Sequence, residues 1–142
     1  MTDWRKDLGS LLTNADEQKV QAQQSEIGRF IAEVGIPAME QLTEELKAHG
    51  RHVNIRNAVT SAVMIVTFNG EEEVTYRLQG RTFPNGTLPF AEVRFRERKG
   101  LRLIRVESML RSGTSEYAME DLAVDDVIRN FLEHYRRCVQ KS

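Results

Sequence analysis

Apolar positions in this chain follow a helical period, then a strand period, then a helical period again. Trp4, Leu8, Leu11 and Leu12 fall on one side of a helix and mark an amphipathic N-terminal segment over residues 1–13. A polar stretch with Gln21, Gln23 and Gln24 follows, before Ile27, Phe30, Ile31 and Val34 raise the apolar density. The pattern predicts a helix from about Asp16 to Val34, broken at Gly35-Ile36-Pro37, with Pro37 at the first position of a second helix. Met39, Leu42 and Leu46 give that second helix its apolar stripe, and Gly50 is placed to end it.

From Arg51 the period shortens to two. Val53 and Ile55 alternate with polar neighbours in a first strand, and the β-branched run from Val59 to Phe68 predicts a second. Asn69-Gly70 is a strong hairpin signal, with Glu72 to Gln79 returning. Residues 81–89, with Pro84, Asn85-Gly86 and Pro89, read as a loop. Phe90 to Arg98 and Leu101 to Leu110 make a hairpin around Lys99-Gly100, and 115–119 suggests a short edge strand. The last element is helical: Val124, Val127, Ile128, Phe131, Leu132 and Tyr135 follow the spacing of a core-facing helix, acidic at its start and basic at its end. The expected fold is α+β. Two N-terminal helices, an antiparallel meander of five or six strands and one C-terminal helix form a single domain over 14–142, with the helices on one sheet face.

Two-residue turns fix which residues face each other. Around Lys99-Gly100 the pairs run Glu97 with Arg102, Arg96 with Leu103, Phe95 with Ile104, Arg94 with Arg105 and Val93 with Val106. Val93, Phe95, Ile104 and Val106 then face the core, while Arg94, Arg96, Arg98 and Arg105 form an outer ridge with Leu101 and Leu103 beside it. The same treatment of Asn69-Gly70 pairs Ile65 with Val74 and Val63 with Tyr76 on the core side. It puts Met64, Val66 and Phe68 on the outer face, an apolar strip that calls for a cover. A second subunit, a protein partner, or the segment carrying Trp4 and Leu8 could supply one.

The composition fits a globular chain: 142 residues, 40% hydrophobic and 29% charged, with net charge −1. Such a balance argues against bulk attraction to nucleic acid or anionic membrane. The one cysteine, Cys138, allows no intrachain disulfide and lies toward the end of a helix, a poor place for a reactive thiol. The N-terminal residues lead into no apolar core of signal-peptide length, and no run approaches a membrane span, so a cytoplasmic protein is expected. His49, His52 and His134 have no partners at metal-ligand spacing, His134 reading as a surface residue, and no cofactor is implied. Neither a phosphate loop nor a dinucleotide fingerprint occurs, and no carboxylate pair for acid–base work is identifiable.

The function this predicts is a non-enzymatic interaction module, self-associating through the outer sheet face around Met64, Val66, Phe68, Leu101 and Leu103 with Trp4 and Leu8. One alternative is nucleic-acid or phosphate binding along Arg94, Arg96, Arg98 and Arg105, weakened because Phe95 points to the other face. Another is a small-molecule pocket between helices and sheet, lined by Tyr76, Phe95 and Tyr135.

Overall fold

Pro37 has no N–H to donate and its ring clashes with a regular helical turn, yet the chain stays helical across it. The computed structural model describes residues 4–83, 86–96, 102–111 and 118–140, and the side chains of all of these save 13–25, 83 and 140. Helix α1 (Trp4–Phe30) passes into a wider π turn (Ile31–Gly35) and then into α2 (Ile36–Ala48). At the junction the Ile36 N–H donates to the Ile31 carbonyl, five residues back, which widens the helix where Pro37 enters. The expected break at Gly35-Ile36-Pro37 is therefore a change of helical pitch, and α1 runs unbroken through the boundary expected near residue 13.

The sheet is a five-stranded antiparallel meander in the order β1 (His52–Asn57), β2 (Ser61–Phe68), β3 (Glu71–Phe83), β4 (Gly86–Arg96) and β5 (Leu103–Met109). A short 3-10 turn (Met119–Asp121) leads into α3 (Val124–Gln140). Of the loop expected over 81–89, the described residues 81–83 and 86–89 are strand: β3 and β4 stay paired through Arg81–Leu88, Thr82–Thr87 and Phe83–Gly86. Pro89 lies opposite Gly80, whose lack of a side chain lets Ile27 of α1 settle on the sheet; a Cβ there would come within 2.8 Å of the Ile27 Cγ1. Most of the short strand expected over 115–119 lies outside the described residues.

The β4–β5 register is the expected one, from Arg96–Leu103 to Glu92–Glu107. The Glu97–Arg102 pair, Arg98 and Leu101 fall on or beside residues outside the description. The β2–β3 register differs. Asn69 and Gly70 take φ of 54° and 81°, the left-handed pair of a tight hairpin turn. Pairing then holds for Phe68–Glu71 and Thr67–Glu72, but Val66 faces Val74, so Glu73 is an extra residue in β3. This bulge shifts every later pair by one and turns β2 over.

Ala62, Met64 and Val66 consequently lie beneath the helices, each fully buried, with Val74, Tyr76 and Leu78 beside them. They join Ile27, Phe30, Ile31, Met39, Leu42, Val93, Val127 and Phe131 in one core. The extra residue has partners on the helix side: the Glu73 carboxylate accepts from Arg51 Nε and Nη2 at 3.4 and 3.3 Å and from the Tyr135 hydroxyl. Leu132, expected in the core stripe of α3, is exposed, because Val127, Asn130, Phe131 and His134 form the buried face instead.

Candidate functional site

Because the described helices pack on one face, no described element covers the other face of the sheet. Two rows cross all five strands there: Asn54–Ile65–Thr75–Arg94–Arg105 and Arg56–Val63–Arg77–Glu92–Glu107. The strand alternation that buries Met64 and Val66 brings Val63 and Ile65 to this surface, half-buried between polar neighbours. Leu103 stands beside Arg96 at one end, 53% exposed.

Glu92 organises the arginines. Its side chain is only 5% exposed and accepts from Arg94 Nε at 2.9 Å and Arg105 Nη2 at 2.8 Å. Arg105 also reaches Glu107 at 3.0 Å, and Arg81 binds Glu107 at 2.7 Å while lying 4.1 Å over the Phe90 ring. Burial pushes the Glu92 carboxyl toward the neutral form, but Arg105 and Arg94 outweigh it and hold the pKa below the usual carboxylate value. Among the described residues, Arg56, Arg77 and Arg96 have no salt-bridge partner. Arginines thus outnumber glutamates, and two of them are fixed in place by a buried carboxylate.

The residues singled out in the sequence are scattered. Met64 and Val66 belong to the core, and Phe68 lies on the helix side with the Arg51 guanidinium 3.9 Å over its ring, so the three do not form an outer strip. Trp4 and Leu8 are exposed on α1. Leu103, Arg94, Arg96 and Arg105 do share the outer face. Tyr76 and Phe95 are buried, with Phe131 filling the space between Tyr76 (ring centroids 5.3 Å) and Tyr135 (5.1 Å).

A buried polar chain escaped the sequence pattern. The Tyr76 hydroxyl donates to Asn130 Oδ1 at 2.7 Å, Asn130 Nδ2 donates to Ser108 Oγ at 3.1 Å, and Ser108 Oγ meets His134 Nε2 at 2.8 Å. His134 is therefore interior, contrary to the surface position expected for it. Asn130 and His134 are spaced i, i+4 on the buried face of α3, a signal hidden by counting apolar residues alone. A Ser–His contact of this length has the geometry of a nucleophile and its base. Here, however, the Ser108 hydroxyl already accepts from Asn130, His134 is 7% exposed, and among the described residues no carboxylate bonds its second ring nitrogen. The chain ties α3 to β3 and β5 and leaves no room for a substrate between its members.

Burial, followed by the Arg137 charge, lowers the pKa of His134, with Glu133 opposing. The unfolded chain thus binds a proton that the native state resists, so stability is full above about pH 6.5 and falls as pH drops below it. Urea unfolding should show wild type losing stability between pH 7.5 and 5.5, and His134→Gln losing less across the same interval. Equal losses in both would place the proton elsewhere.

Among the described residues no three His, Cys, Asp or Glu side chains converge as a metal site, and no helix is long and apolar enough to cross a membrane. No protein-family model, no curated protein and no solved structure matches this chain.

Proposed function

We propose that the protein is a non-enzymatic interaction module that receives a carboxylate-bearing protein surface on the open face of its sheet. One observation carries this: half-buried Val63 and Ile65 and exposed Leu103 lie on an uncovered face among arginines that outnumber their internal partners. Apolar contacts ringed by cations suit a partner with an apolar centre and an acidic rim. Glu92 holds Arg94 and Arg105 in place before binding, which lowers the ordering cost of engaging them. A nucleic-acid partner has less support, because Phe90 is covered by Arg81 and Phe95 is on the helix side, leaving no aromatic platform for bases. Pairing this face with itself would set arginine rows against arginine rows. The closed Ser108–His134 contact favours a module over an enzyme.

The test is photo-cross-linking in the cells that make the protein, with a photoreactive phenylalanine at Ile65 or, on the far side, at Leu132. Position 65 should give a protein adduct that survives nuclease and is lost with Arg94→Glu/Arg96→Glu, and position 132 should not. No adduct from 65, the same adduct from 132, or an adduct removed by nuclease would each overturn the proposal.

A further inference from the structure

β1 is an end strand, and among the described residues nothing pairs with its outer edge. The Ala58 N–H donates to the Ser61 carbonyl at 2.9 Å, so Ala58 and, by alternation, Arg56, Asn54 and His52 aim their peptide groups at β2. The tight turn at Asn69-Gly70, which pairs Phe68 with Glu71, fixes the same alternation from the far side of β2. Val53, Ile55 and Asn57 therefore turn their N–H and C=O groups outward. Edge strands are commonly blunted by proline, lysine or a bulge. β1 has none of these: it reads His-Val-Asn-Ile-Arg-Asn, and its register on β2 runs without a shift. Val53 and Ile55, half-buried on the helix side, add β-branched apolar surface to the same edge.

We propose that β1 pairs antiparallel with β1 of a second copy of this chain, Ile55 opposite the partner's Ile55, joining two sheets into one. In that register Val53 faces Asn57 of the partner subunit, and every outward N–H and C=O of Val53, Ile55 and Asn57 gains a partner. On the open face Asn54 comes opposite the partner's Arg56, which gives an acceptor to an arginine that has no salt-bridge partner among the described residues. Neighbouring registers fit less well. Moving two residues toward the end of the strand sets Arg56 directly against the partner's Arg56. Moving two toward its start sets His52 against the partner's Arg56 and carries Asn57 past His52, where the strand begins. A second copy is thus an occupant that matches this edge in length, hydrogen bonding and charge. The twofold axis stands perpendicular to the sheet, so both helix layers end on one side and both open faces on the other. The open face stays free, and the pairing stands or falls apart from the function proposed for that face.

Light scattering on wild type should give about twice 16.3 kDa at tens of micromolar. Asn57→Pro puts a ring where an outward N–H stood and spares the bonds to β2. It should weaken the dimer about tenfold or more with an unchanged circular-dichroism spectrum. In a Cys138→Ser background, Asn54→Cys mixed with Arg56→Cys should form a disulfide-linked dimer on mild oxidation, because the two positions stand directly opposite. His52→Cys alone should not, since the register holds its two copies about 20 Å apart. A monomer mass for wild type, a dimer that Asn57→Pro leaves at full strength, or efficient cross-linking of His52→Cys to itself would overturn the proposed pairing.

Discussion

Met64→Lys is expected to leave the chain unfolded at 25 °C, whereas Ile65→Lys, one residue along the same strand, is expected to leave it folded. Met64 is fully buried on the helix side of the sheet, opposite Ile55 and Tyr76. An ammonium placed there loses its water and meets no carboxylate, at a cost of several kcal/mol beyond the lost methionine packing. That total is comparable with the whole stability of a domain this size, roughly 5–15 kcal/mol. Ile65 is half-buried on the open face between Asn54 and Thr75, where a lysine stem can lie along the sheet with its charge in water. Its replacement should cost no more than about 2 kcal/mol, the value of an isoleucine's partial burial. Circular dichroism with urea titration separates the two, and the reverse order of effects would turn β2 back over.

Phe131→Ala comes next in size, with an expected loss of about 3–5 kcal/mol in chemical denaturation. The ring is 1% exposed, meets Tyr76 edge-on and stacks on Tyr135, so truncation leaves a cavity bounded by two rings with hydrogen-bonded hydroxyls. Those bonds to Asn130 and Glu73 keep both rings from collapsing into the space. A loss below about 1 kcal/mol would mean that α3 presents another face to the sheet.

These two positions mark where sequence reasoning works and where it fails. The helical period of α3 put Phe131 inward because only one side of that helix is dense in apolar residues. Its polar interior members, Asn130 and His134, were missed because hydrophobic periodicity counts only apolar positions, and their satisfaction depends on Ser108 and Tyr76 in distant strands. The β4–β5 register followed from counting back from the turn, since no bulge intervenes in the described pairs. Counting failed for β2 because one residue, Glu73, bulges out to meet Arg51 and Tyr135, contacts far away in sequence. Alternation could not correct the error: Ala62, Met64 and Val66 are no more apolar than Val63 and Ile65, so either face of β2 could be read as core. Residues 81–83 and 86–89 were misread for the opposite reason. Local signals for a loop were strong there, and strand pairing across Gly80 and Pro89 overrode them. Of the candidate surface, the arginines and Leu103 were legible through the β4–β5 turn, while Val63, Ile65 and the anchoring role of Glu92 required the three-dimensional register.

The most direct test of the account is hydroxyl-radical footprinting of the folded wild-type protein, because everything proposed for the sheet depends on which face is open. Ile65, Val63 and Leu103 should be labelled, and Met64 and Val66, although methionine is intrinsically the more reactive, should be protected until the chain is unfolded in urea. Rapid labelling of Met64 in the native protein, with Ile65 protected, would contradict it.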